Sequence, residues 1–95
     1  MLEKDIQKKI LAWLNAQPRC HAVKISANPF QRSGISDILA CTEGRFMAIE
    51  VKRPGEEPTA LQTTFIERIK ASGGIAFTAT SLEQVKVMFE CSLRP

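Results

Sequence analysis

The most constraining feature of this chain is a four-residue turn, Thr42-Glu43-Gly44-Arg45, between two short runs of strand-forming residues. Asp37–Cys41 and Phe46–Lys52 alternate and carry apolar and β-branched side chains, and Gly44 is free to take positive φ, so the segment reads as a β-hairpin. If Glu43-Gly44 is its two-residue tip, Thr42 faces Arg45, Cys41 faces Phe46, Leu39 faces Ala48 and Asp37 faces Glu50. A one-residue slip would turn every side chain to the other face, so this register is strongly specified. It sets two carboxylates opposite each other on neighbouring strands, with Lys52 on the same face as Glu50.

Like charges directly opposed in a sheet destabilise it. A divalent cation between them reverses the sign of that effect, and carboxylate oxygens completed by water and substrate phosphate are the usual shell of Mg²⁺. An ion so held lowers the pKa of a bound water and neutralises charge on an attacked phosphate. Lys52 beside the pair is suited to orienting that water or stabilising negative charge. Glu-x-Lys is by itself a common tripeptide and also fits a surface pair. Here, however, Met47, Ile49 and Val51 bury one strand face while Phe46 and Ala48 begin the other, so Glu50 and Lys52 continue a partly apolar face.

The remaining elements follow from periodicity and punctuation. Residues 2–16 form an amphipathic helix with Ile6, Ile10, Trp13 and Leu14 on one stripe, ended by Pro18. Trp13 reads as core. His21–Ile25 is a short strand, and Asn28–Ser33 is a polar loop. The turn-rich Pro54–Pro58 precedes Thr59-Ala60-Leu61-Gln62, a capping box that opens a helix with Leu61, Phe65 and Ile69 on one face. Gly73-Gly74 stops it, Ile75–Thr80 is a buried strand, and Ser81-Leu82-Glu83-Gln84 starts a terminal helix with Val85, Met88 and Phe89 inward. The order αβββαβ plus a terminal helix predicts an α/β fold, a mixed sheet flanked by helices.

Two further residues have two readings each. Glu3 lies on the apolar stripe of the first helix, where a carboxylate points at the core edge and needs a partner; it also suits the positive end of the helix dipole. Gln62 is accounted for by the capping box; its second reading, a contact to the site, draws nothing from physics alone. Gly34, three residues before Asp37, predicts a close backbone approach or a positive φ.

Charge and cysteine content narrow the function classes. The formal net charge is +3, but residues 1–53 hold nine basic and five acidic side chains, against four and five in residues 54–95. The excess lies with the carboxylate pair, as a phosphate-binding surface requires. Cys20, Cys41 and Cys91, with His21 the single histidine, are too few and too scattered for a zinc site or a Cys–His nucleophile. They are expected to be buried free thiols in a reducing, cytoplasmic setting. No apolar run approaches the ~20 residues of a membrane span, and no signal peptide is expected. Ninety-five residues predict one domain, residues 1–95, whose limited core would benefit from a symmetric dimer.

Gly34-Ile35-Ser36-Asp37, Glu50-Val51-Lys52, Arg53-Pro54-Gly55 and Gln62 together resemble the VRR-NUC domain, a branch of the PD-(D/E)xK nuclease superfamily that includes small stand-alone phage and bacterial proteins. The resemblance runs from Glu3 to about Thr80. It implies a restriction-endonuclease-like core and Mg²⁺ or Mn²⁺ held by Asp37, Glu50 and the backbone carbonyl of Val51. It further implies that Lys52 is the catalytic lysine and that Glu3 and Gln62 stand around the site. Ser36 departs from the proline often found there. The implied activity is structure-specific DNA endonuclease, resembling Holliday-junction resolvases and acting as a homodimer on branched DNA. A nuclease for flap, nicked or linear DNA, or a DNA-binding module with an inactive site, are the alternatives. Lys24, Arg32, Arg45 and Arg53 are the expected phosphate contacts.

Overall fold

In the computed structural model, which describes residues 2–26 and 34–93, the chain runs α1 (Glu3–Asn15), β1 (Cys20–Lys24), β2 (Ile38–Thr42), β3 (Arg45–Val51), α2 (Ala60–Ala71), β4 (Ile75–Ala79) and α3 (Leu82–Leu93). The strands form one sheet in the order β1-β2-β3-β4. The first three are an antiparallel meander, and β4 joins β3 in parallel after the α2 crossover. This is the expected mixed sheet flanked by helices, with strand limits shifted by about a residue. The polar loop Asn28–Ser33, with Arg32, lies outside the described residues.

The hairpin has the register that its turn dictates: Thr42 pairs with Arg45, Cys41 with Phe46 and Leu39 with Ala48. Both tip residues take positive φ, 51° at Glu43 and 79° at Gly44, the backbone of a type I′ turn whose twist matches that of the strands. At the free edge of the sheet, Asn15 closes α1 onto β1. Its Nδ2 donates to the Ala22 carbonyl at 3.0 Å and its Oδ1 accepts from the Ala22 N–H at 2.9 Å, so two edge groups that could template another strand are already paired.

Alternation divides the core between the two faces of the sheet. On one face Ile38, Ala40, Met47, Ile49, Val51, Phe77 and Ala79 pack with Ile6, Ile10 and Leu14 of α1 and Val85 and Phe89 of α3. Trp13 is half-buried here, edge-on to Phe89 with ring centroids 5.1 Å apart. On the other face a smaller cluster joins Ala48 and Ala76 to Ile66 of α2, bordered by Leu39, Phe65 and Ile69. Two expected inward residues are therefore corrected. Leu61 is 59% exposed and Ile66 holds the central place on α2, while Met88 is 37% exposed on α3. The thiols are free but not buried, which corrects a third expectation: Cys41 and Cys91 are exposed and Cys20 is half-buried. Among the described residues no helix is long and apolar enough to cross a membrane.

Because α2 covers only part of its face, the far end of β3 runs past the apolar cluster. Glu50 and Lys52 have the parity of Ala48 and emerge at that end, beside the first turn of α2.

Candidate active site

The β2–β3 ladder ends at Ile38–Ile49, one pair short of Asp37–Glu50. The two side chains nevertheless come close enough for Asp37 to raise the Glu50 carboxyl. The backbone at Asp37 is held by β1, since the Ile25 N–H donates to the Asp37 carbonyl at 2.8 Å. Its side chain is held by β3, where the Val51 N–H donates to Oδ2, also at 2.8 Å.

Glu50 is 2% exposed. Its Oε2 accepts a hydrogen bond from Nε2 of Gln62 at 3.1 Å, and its Oε1 is buried with no hydrogen-bond partner. Burial above all, then the hydrogen bond with Asp37 and the Asp37 charge, push the Glu50 carboxyl up to about 8; the ammonium of Lys52 pulls the other way, and Glu3 adds a small upward push. An orphaned carboxylate oxygen inside a protein costs the desolvation of that group, so the arrangement asks for a cation. Among the described residues no three His, Cys, Asp or Glu side chains are grouped to hold a metal. A cation here would therefore rest on two carboxylates and complete its shell with backbone carbonyl, water and substrate oxygens, the habit of Mg²⁺. The residues fit the ion that the sequence implied.

Gln62 performs both of its readings at once. In the capping box its N–H donates to Thr59 Oγ1 at 3.2 Å and its Oε1 accepts from the Thr59 N–H at 2.8 Å. With the amide oxygen committed to the helix start, the amide nitrogen is left to face Glu50. Gly34 supplies the approach that makes this possible. Its φ is +90°, and a Cβ there would stand 2.6 Å from the Leu61 carbonyl oxygen. The segment entering β2 thus lies directly on the first turn of α2, which brings both Asp37 and Gln62 to Glu50.

Lys52 continues the strand, its N–H donating to the Ala79 carbonyl at 2.9 Å, and it is half-buried. Its charge acts on Glu50 and on Glu3, which places the start of α1 beside the pair. Glu3 itself is hydrogen-bonded to Glu56, and its carboxyl is raised by burial first and then by Glu56, against the pull of Lys52. Glu56 is lowered, chiefly because the Arg53 N–H donates to it, at 2.7 Å. All five side chains expected at the site, Asp37, Glu50, Lys52, Glu3 and Gln62, are thus brought together. Glu56 is an addition that sequence reasoning missed. Its one local signal was Gly55, whose φ of +91° folds Glu56 back onto the Arg53 N–H.

Ser36 is fully buried, and among the described residues nothing bonds to its hydroxyl oxygen.

No protein-family profile matches the chain, and no curated protein does. Solved structures do. One described as a VRR_NUC domain superposes with a TM-score of 0.77 at 28% identity, covering 93% of this chain and 94% of that one. A second, described as a VRR_NUC domain protein, gives 0.76 at 20% identity over 95% and 86%. Hjc, a Holliday junction resolvase from the archaeal hyperthermophile Archaeoglobus fulgidus, gives 0.62 at 20% identity over 82% and 67%. The chain has the PD-(D/E)xK-like topology of these structures.

Proposed function

We propose that this chain is a divalent-metal-dependent nuclease of the VRR-NUC type, one domain that hydrolyses phosphodiester bonds in DNA. The observation that carries the reading is the pair of apposed carboxylates, Asp37 and Glu50, with a buried and unpartnered Glu50 oxygen and Lys52 beside them. The likeness to VRR_NUC domains supports it.

Asp37, Glu50 and the Val51 carbonyl would hold Mg²⁺ or Mn²⁺, which supplies an acidified water and charge neutralisation on the phosphate. The chain does the rest. The Val51 N–H fixes the Asp37 carboxylate, and the Gln62 amide fixes that of Glu50. Lys52 carries its ammonium to the phosphate and its attacking water, orienting the one and stabilising charge on the other. Glu3 and Glu56 stand next to Lys52 and hold its head group by charge, acting on the reaction through Lys52.

The likeness to Hjc supports branched DNA as substrate. A four-way junction has two equivalent strands to cut and each copy of this chain carries one site, so a twofold homodimer is the assembly proposed. Incubating labelled junction, flap, nicked and linear duplex DNA with Mg²⁺, Mn²⁺ or EDTA tests the whole reading. Metal-dependent cutting with preference for the junction is expected. Absence of cutting on every substrate would overturn the nuclease assignment, and equal cutting of all would overturn the junction preference alone. Light scattering checks the dimer, and a monomer at assay concentration would refute it.

A further inference from the structure

At the end of the sheet that carries the carboxylate pair, but on the α1 face, α1 and β1 form a cleft of about 480 Å³ lined by Lys4, Asp5, Gln7, Lys8, Leu11 and Lys24. Lys4 follows Glu3, which reaches Lys52. Lys24 pairs with Ile38, the neighbour of Asp37, and the next residue, Ile25, donates its N–H to Asp37.

The chemistry of the lining is one-sided. Three ammonium groups face a single carboxylate, and among the described residues none of the three is held in an ion pair. The basic side chains of the cleft at the other end of the sheet, Arg45 and Lys70, are already engaged: Arg45 donates to the Ser92 carbonyl at 2.8 Å and Lys70 pairs with Glu67 at 3.7 Å. Gln7 adds a second, independent observation. It is 8% exposed, it lines the cleft, and its amide has no hydrogen-bond partner among the described residues. The residue is buried but its amide is not among the fully buried, unpartnered polar atoms, so the amide reaches the cleft, where its N–H groups are free to donate to an acceptor.

We infer that the α1–β1 cleft binds the phosphodiester backbone of the nucleic-acid strand flanking the phosphate to be cut. Lys4, Lys8 and Lys24 neutralise it, and Gln7 donates to a phosphate oxygen. The inference rests on the nuclease reading and adds to it the side of the site along which the strand runs. Phosphate contacts of this kind set affinity and register while carrying no sequence information.

The test is binding of labelled DNA in Ca²⁺ without turnover, as a function of salt, followed by single-turnover cleavage in Mg²⁺. The double variant Lys8→Ala/Lys24→Ala removes two charges without touching the carboxylate pair. Its binding is expected to weaken about tenfold or more at moderate salt. Its log–log salt slope should fall by about 1.4 to 1.8, the release of two counterions. Its cleavage at subsaturating DNA should fall in step with the lost affinity. Gln7→Leu should weaken binding with no change of slope. Lys70→Ala, which removes a charge elsewhere, should leave the slope close to that of the parent protein. Parent protein that binds and cuts DNA, with a double variant of unaltered affinity and slope, would overturn the cleft while leaving the nuclease reading intact. Parent protein that binds no DNA would overturn both. Thermal melts of the variants identify any loss of affinity that comes from unfolding, in which case Lys8→Gln and Lys24→Gln measured singly decide the matter by their slopes.

Discussion

Replacing Glu50 by Gln tests whether this carboxylate is kept at the expense of stability. Burial and the apposed Asp37 push the Glu50 carboxyl from the ordinary 4.5 up to about 8. Below about pH 4.5 the folded and unfolded chains both carry the proton, and nothing is lost. As pH rises from there, the unfolded chain releases it while the folded chain holds it until about 8. Stability of the metal-free protein therefore falls through that window, and the deficit is complete above it. Each pH unit of difference is worth about 1.4 kcal/mol. Water reaching the pair and the local Gln62 hydrogen bond reduce the total, so a penalty on the order of 2–4 kcal/mol is expected at pH 8 and above.

The amide of the Glu50→Gln variant carries no charge and has the same shape as the carboxylate it replaces, so the variant escapes this penalty. In EDTA it should melt higher than the parent at pH 8, by about 8 °C or more at the usual 4–8 °C per kcal/mol for a domain of this size. Near pH 4.5 the two should melt together. Adding Mn²⁺ should reverse the order at pH 8, because the parent gains a ligand for its orphaned Oε1 and the variant does not. Thermal melts by circular dichroism at both pH values, with EDTA and with Mn²⁺, give all the comparisons. A variant no more stable than the parent at pH 8 in EDTA would refute the argument, since it would mean that the native fold tolerates the Glu50 charge without a cation.

Lys52→Ala should abolish cleavage while leaving the melting temperature and Mn²⁺ binding close to those of the parent; global unfolding instead would mark Lys52 as structural. Gly34→Ala combines positive φ with a Cβ 2.6 Å from the Leu61 carbonyl oxygen and should cost about 2 kcal/mol or more, read by urea denaturation, with cleavage impaired even where the protein remains folded. Ser36→Ala removes a buried hydroxyl that has no partner and should stabilise by up to about 1 kcal/mol with activity unchanged. Gln62→Glu keeps the capping box but replaces the donor to Glu50 with a carboxyl group, so helix content should persist while metal affinity, followed by calorimetry, changes; equal affinity would show that the amide contact is incidental.

How much of this was legible in the sequence depends on how local the cause was. The hairpin register was readable because a two-residue turn leaves one pairing, and the Asp37–Glu50 apposition follows by counting. The ladder's early end at Ile38–Ile49 was not readable, since it depends on how the segment before Asp37 is drawn onto α2. Periodicity identified every helix but overestimated the width of two inward faces. How far a stripe is covered is a property of the opposing layer, and the small cluster under α2 leaves Leu61 in solvent. Burial of the thiols failed for the same reason, because Cys41 lies near the hairpin tip, beyond the helices. Glu3 and Glu56 meet across distant parts of the chain, and no spacing encodes that meeting.

Gln62 shows why local and functional readings need not compete. A capping box accepts either Gln or Glu at its third position, so the helix alone does not choose between them. The choice is made at the other end of the side chain. Once Oε1 accepts the Thr59 N–H, a glutamine presents an N–H donor to Glu50, whereas a glutamate would present a second acceptor to a carboxylate already raised by burial and by Asp37. The helix start therefore fixes which way the amide points, and Gly34 fixes how close the helix start lies to the strand carrying the ligands. The precision of the carboxylate pair comes from a turn, a cap and a glycine, each of which acts over a few residues, converging on one buried side chain.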